Sequence, residues 1–190
     1  MRSTETMSPA ASRVLDAAEE LFYSRGITAV GVDLVAERSG VTKRTLYNRF
    51  GSKDGLIAAY LSSRDERWRA EVMTAVESSG SPADAVTAPF TVLASQDRSS
   101  ARGCAFINAL AELPDADHPG RRIAMDEKAW LLDLFARLAT DARCAEPPAL
   151  ARRLMLIHEG ALATEPLSRG LLTDATELAR SLVREAAQRA

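Results

Sequence analysis

The sequence predicts an all-α protein of about nine helices, a three-helix head at the N-terminus followed by a longer helical body. Three observations carry that expectation. Alanine occurs 34 times in 190 residues, and alanine loses no side-chain entropy on entering a helix. Apolar residues recur at helical rather than alternating spacing. Glycine, proline, serine and threonine fall between the periodic segments, where helix ends need them.

Composition narrows the function classes. At 46% hydrophobic, 26% charged and a net charge of −2, the chain is neither disordered nor a strongly basic coat for nucleic acid. No apolar run reaches the roughly 20 residues that span a bilayer, and the first twelve residues lack the basic-then-apolar pattern of a signal peptide. The expectation is a cytoplasmic protein with no membrane partner. Cys104 and Cys144 stand far apart without a CxxC partner, so no disulfide framework, metal site or cofactor is expected. Arginine outnumbers lysine 21 to 3.

The near-neutral total hides a local excess. Residues 38–53 carry five basic side chains (Arg38, Lys43, Arg44, Arg49, Lys53) and no acidic one, interleaved with Tyr47 and Phe50. A basic run is often only a solvated face. Here the helix punctuation around it points further.

Ser8-Pro9 opens the first helix, with Ser8 as cap and Pro9 where a missing N–H costs nothing, and Gly26 closes it. Val14, Ala18, Leu21 and Phe22 form one apolar stripe, so this helix packs. A short second helix is expected over 33–39, with Gly31 as cap, Asp33 in its positive first turn, and Leu34 and Val35 inward. Gly40 stops it in a left-handed conformation, and Thr42 caps a third helix over 43–49 that buries Leu46 alone. Helix, glycine turn, polar helix is the helix-turn-helix plan, whose second helix enters the DNA major groove. That groove, about 12 Å wide, admits one helix, with side chains on base edges and flanking hydroxyls and cations on phosphates. Phe50-Gly51 then breaks the chain, and Ser52 caps a fourth helix whose free N–H groups, with Lys53, form a phosphate clamp.

Residues 17–61, and above all AERSGVTKRTLYNRFGSKDGL at 36–56, resemble the DNA-binding domain of TetR-type transcriptional regulators. Leu46-Tyr47, Phe50 and Ser52-Lys53 fall on that family's LY, F and SK signature at the same spacing from Gly40-Val41. Val30-Gly31 departs from it, standing where many members open the second helix with a threonine pair. The resemblance implies that Tyr47 and Lys53 hold phosphates and that Thr42 contacts the DNA backbone or caps. Lys43, Arg44, Thr45 and Asn48 are then the base-edge candidates, Arg44 suited to guanine and Asn48 to adenine. Tyr47 also reads as a core residue, and Arg49 as a solvated one.

Beyond a boundary between residues 52 and 53, the fourth helix is expected to run to about residue 78. Further helices are expected over 82–95, 104–113, 119–142, 150–164 and 174–188, the last capped by Thr173, with a polar loop at 96–103. The resemblance makes residues 1–52 the DNA-binding domain and 53–190 the effector-binding and dimerisation domain. Leu154, Ile157, Ala161 and Leu162, with Leu178, Leu182, Val183 and Ala186, give two apolar faces that either form a four-helix dimer interface or complete the core of one chain. Phe90, Cys104, Phe106, Asn108, Glu112, Trp130 and His158 are the effector-pocket candidates, each also readable as ordinary core.

The resulting expectation is a homodimeric repressor, not an enzyme, bound to double-stranded DNA at an inverted-repeat operator. A small, largely apolar effector releases it. A redox-responsive regulator using Cys104 is the alternative, and a Cys104- or His158-dependent enzyme a remoter one, since neither residue sits in a nucleophile motif.

Overall fold

The computed structural model describes residues 8–95, 102–168 and 170–189. Among the described residues the elements are α-helices: α1 (Pro9–Arg25), α2 (Val32–Ser39), α3 (Lys43–Phe50), α4 (Lys53–Glu77), α5 (Pro82–Ser95), α6 (Ala105–Glu112), α7 (Pro119–Asp141), α8 (Pro147–Thr164) and α9 (Leu171–Gln188). The all-α expectation holds, and all nine helices begin within three residues of their expected starts. Most of the loop expected at 96–103 lies outside the described residues.

The clear departure is the cap of α9. The helix begins at Leu171, with Gly170 at the cap position and no side-chain bond from it, so Thr173 lies inside the helix. The Glu165 carboxylate does the capping instead, accepting hydrogen bonds from the N–H groups of Gly170 (3.2 Å) and Leu172 (2.8 Å). An acid at the positive end of a helix satisfies donors that have no intrahelical partner.

The chain packs as two compact units, residues 1–64 with 105–124, and residues 65–104 with 125–190. These units do not follow the expected boundary at 52/53, because the first half of α4 and all of α6 count with the head. The first unit buries Val14, Leu21, Phe22, Val35, Leu46, Leu56, Ile57 and Tyr60, with the Phe22 and Tyr60 rings 5.8 Å apart. Each fully buried side chain of this size contributes about 1.5–3 kcal/mol. Arg121 donates to the carbonyls of Leu110 and Leu113 at 2.9 Å, which holds the end of α6 to the start of α7.

The second unit buries Val86, Phe90, Leu131, Leu134, Phe135, Leu150, Leu154 and Val183 around α5, α7, α8 and α9. It also buries charge. Lys128 bridges Glu127 (2.8 Å) and Glu159 (2.7 Å), and Glu159 in turn lies 3.1 Å from His158 Nδ1.

Candidate nucleic-acid interface

The turn between α2 and α3 is built by one glycine and one threonine. Gly40 adopts φ +67°, and the N–H groups of Gly40 and Val41 bond to the carbonyls of Glu37 (3.2 Å) and Ala36 (3.1 Å). This pair of bonds closes α2 and reverses the chain at little conformational cost, since glycine has no Cβ to clash. Thr42 caps α3, its Oγ1 accepting from the Thr45 N–H at 3.2 Å and sharing a 2.9 Å hydrogen bond with the Thr45 hydroxyl.

Leu46 is the buried residue of α3, with no exposed area. It pins the helix to the head and turns the remaining side chains outward. Thr42, Lys43, Arg44, Thr45, Tyr47, Asn48 and Arg49 are all exposed, so the eight sequence-derived DNA candidates, Lys53 excepted, share one solvent-facing helix and its cap. Tyr47 is 42% exposed, which removes its core reading. Lys53 is half-buried at the first residue of α4, where the Ser52 hydroxyl accepts from the Gly55 N–H at 2.9 Å.

The five cations of the basic window are not equivalent. Arg38 is paired with Glu20 at 2.7 Å, and Lys43 with Asp33 at 2.6 Å. The hydrogen bond and the field of Asp33 raise the Lys43 ammonium above the usual lysine range. Arg44, Arg49 and Lys53 make no ion pair with another described residue, which leaves three cations uncommitted within the head. The basic window is visible in the sequence, but Asp33 as a partner is not, because the pair forms across the turn.

The effector candidates separate. Phe106, Asn108 and Glu112 belong to the first unit, and Phe90, Cys104, Trp130 and His158 to the second. Glu112 has a structural task within its unit, accepting the Thr28 N–H at 2.7 Å just past the end of α1. His158 is buried, with Phe90, Trp68 and Phe135 rings at 5.4, 5.8 and 6.1 Å, and Trp130 lies under the Arg69 guanidinium at 4.8 Å. Trp68, Glu127, Lys128 and Glu159 are absent from the sequence-derived candidates. Lys128 carried a signal, being the third lysine of an arginine-rich chain, placed on a helix that is otherwise apolar on one face. No group of acids, histidines and cysteines among the described residues could hold a metal ion.

The dimer candidates divide by burial. Leu154, Ala161, Leu162, Val183 and Ala186 are buried within the one chain, as in their reading as core. Of the eight, Leu178 alone is exposed, at 51%, and Ile157 and Leu182 are half-buried. Leu156, which is not among the sequence-derived dimer candidates, is 74% exposed, with Gly160 and Ala163 exposed on the same stripe of α8. Helical periodicity finds two apolar stripes on α8 but not which one is covered.

Comparison with known proteins agrees with this geometry. The family described as "Bacterial regulatory proteins, tetR family" matches residues 14–60. A TetR-family transcriptional regulator from Streptomyces coelicolor has a crystal structure similar over 95% of both chains, with 34% identity and a TM-score of 0.83. A TetR-type regulator from Streptomyces avermitilis is similar over 96% of this chain and 99% of its own, at 32% identity and a TM-score of 0.82. An HTH-type transcriptional regulator from Mycobacterium tuberculosis is 34% identical over 82 residues, which are 43% of this chain and 41% of that protein.

Proposed function

The chain belongs to the TetR family of transcriptional regulators, DNA-binding proteins and not enzymes, and from that premise we propose that it acts as a homodimeric, ligand-responsive repressor. The observation that carries the DNA reading is α3 itself: one buried leucine, a threonine cap, and Arg44, Thr45 and Asn48 exposed together. Arg44 and Asn48 read base edges, Lys43 and Thr45 assist them, and Tyr47, Arg49, Lys53 and the Thr42 cap hold the backbone. Two such heads about 34–36 Å apart address successive major grooves of an inverted repeat. The domain division at 52/53 is this functional one, with reading on one side and response on the other.

The second unit is the responsive part. Trp68 Nε1 and Glu159 Oε2 are buried without a hydrogen-bond partner among the described residues. A buried polar atom left unmet costs about 1–3 kcal/mol. The effector proposed for this unit has an apolar body and a polar end, to suit a core of aromatic rings that also holds these two polar atoms. Differential affinity for two states is what releases DNA, and α4 and α7, which each contribute residues to both units, are helical paths between them. A redox variant of this response uses Cys104, a half-buried thiol of the second unit. Operator binding unchanged by peroxide discards that variant.

Selection of duplexes from a random library, followed by titration of variants, tests the DNA reading. Arg44→Ala relaxes preference at one base position, at a cost of about 1–3 kcal/mol on the selected operator. Lys53→Ala weakens all sequences alike and lowers the log–log salt slope by about one. Wild-type behaviour in both variants refutes the placement of the reading head.

A further inference from the structure

Asp33 stands in the first turn of α2 and Lys43 at the first residue of α3, so their 2.6 Å ion pair spans the helix-turn-helix on its solvent side. With the side chains 78% and 51% exposed, the pair contributes little to folding stability. What it changes is where the Lys43 ammonium can go. A lysine is a compact charge on a flexible four-carbon stem. Untied at the leading end of the reading helix, it reaches a phosphate of any sequence. Contacts of that kind carry non-specific binding, each adding about 0.9 to the salt slope.

The same carboxylate acts on α2. Gly31 offers no side-chain cap bond to the start of that helix, and Asp33 is the anion that its positive end meets. A DNA phosphate approaching there meets a carboxylate first. Both effects remove electrostatic contacts that do not depend on sequence.

We propose that Asp33 is a specificity-determining residue of the DNA interface, holding the Lys43 ammonium away from sequence-independent phosphate contact. Tied to Asp33, the ammonium retains N–H donors for a base-edge acceptor within reach of that fixed position. The role depends on α3 entering the major groove, as in the function proposed for the chain.

The experiment measures salt dependence of binding to a fluorescein-labelled mixed-sequence duplex and to a selected operator, for wild type, Asp33→Asn, Lys43→Ala and the double variant. Asp33→Asn steepens the slope on mixed-sequence DNA by about 0.9 and reduces the ratio of operator to mixed-sequence affinity. Lys43→Ala does not steepen the mixed-sequence slope and lowers affinity for the selected operator. The double variant reverts to the Lys43→Ala slope, which separates release of Lys43 from simple removal of a negative charge. An unchanged slope in Asp33→Asn, or equal steepening in the double variant, overturns the proposal. Lys53→Ala measured alongside tells the two failures apart. A lowered slope there with no effect of Asp33→Asn overturns the role of Asp33 alone, whereas no effect of either substitution overturns the placement of the head and the role of Asp33 with it.

Discussion

Glu159 shows how one residue's protonation is tied to the stability of the second unit. Burial by itself pushes its carboxyl up, but the His158 hydrogen bond and the Lys128 ammonium outweigh burial and hold it at about 2. Lys128 is raised well above the usual lysine range: burial opposes its charge, and the fields of Cys104, Glu127 and Glu159 override that penalty. Glu127, only 1% exposed, is raised, chiefly by burial. A carboxyl depressed in the folded state stabilises it above the unfolded value of about 4.3, and that contribution is lost as pH falls towards 2. Glu127 has the opposite sign and acts at higher pH, so acidification first restores a little stability and then removes more. Urea unfolding should therefore show a loss on the order of 3 kcal/mol between about pH 4.5 and 2, at 1.36 kcal/mol per pKa unit. Glu159→Gln should flatten that window and cost about 3–5 kcal/mol at pH 7, because it strands part of a buried ion network. A wild-type acid profile in the variant excludes Glu159 as the titrating group.

At the scale of elements, the joints of the head depend on two glycines for different reasons. Gly40 is required by its backbone: φ is +67° while the space a Cβ would enter is open, so the penalty of a substitution is conformational. Gly40→Val should cost at least about 1–2 kcal/mol and weaken operator binding, while Gly40→Asn, which tolerates the left-handed region, should retain more of both. Gly55 is required by space, because a Cβ there would collide with the carbonyl oxygen of Phe50. Gly55→Ala should force the start of α4 away from the end of α3, at about 1–3 kcal/mol. Thermal melts with parallel DNA titrations check both, and an unperturbed Gly55→Ala protein contradicts this account of the joint. The joints of α1, α2 and α3 were legible in the sequence because each cap lies within a few residues of the groups it satisfies: Ser8 accepts from Ala11, and Thr42 from Thr45. The cap of α9 was not, because it is the carboxylate of Glu165, several residues back and past the end of α8.

For the whole molecule, the proposed dimer turns on which face of α8 and α9 remains uncovered. Leu156→Glu and Leu178→Glu replace exposed side chains and should leave the fold intact, yet shift sedimentation from dimer to monomer and weaken operator binding. Leu154→Ala removes a side chain with no exposed area and should instead destabilise the chain by about 2–5 kcal/mol. A dimer unaffected by either glutamate places the interface elsewhere. The amino-acid order by itself determined the helical class, the helix-turn-helix joints and the outward face of α3, since all of these follow from periodicity and from caps a few residues away. It also contained the charge of the basic window. Only the tertiary structure decided which cations are already spoken for, that Glu112 holds the Thr28 N–H and Glu165 caps α9, that Lys128 sits between two acids, and that most of the expected dimer stripe is buried in the one chain. Those outcomes depend on side-chain pairings that helical periodicity does not encode, and a helical repeat specifies an apolar face without specifying what packs against it.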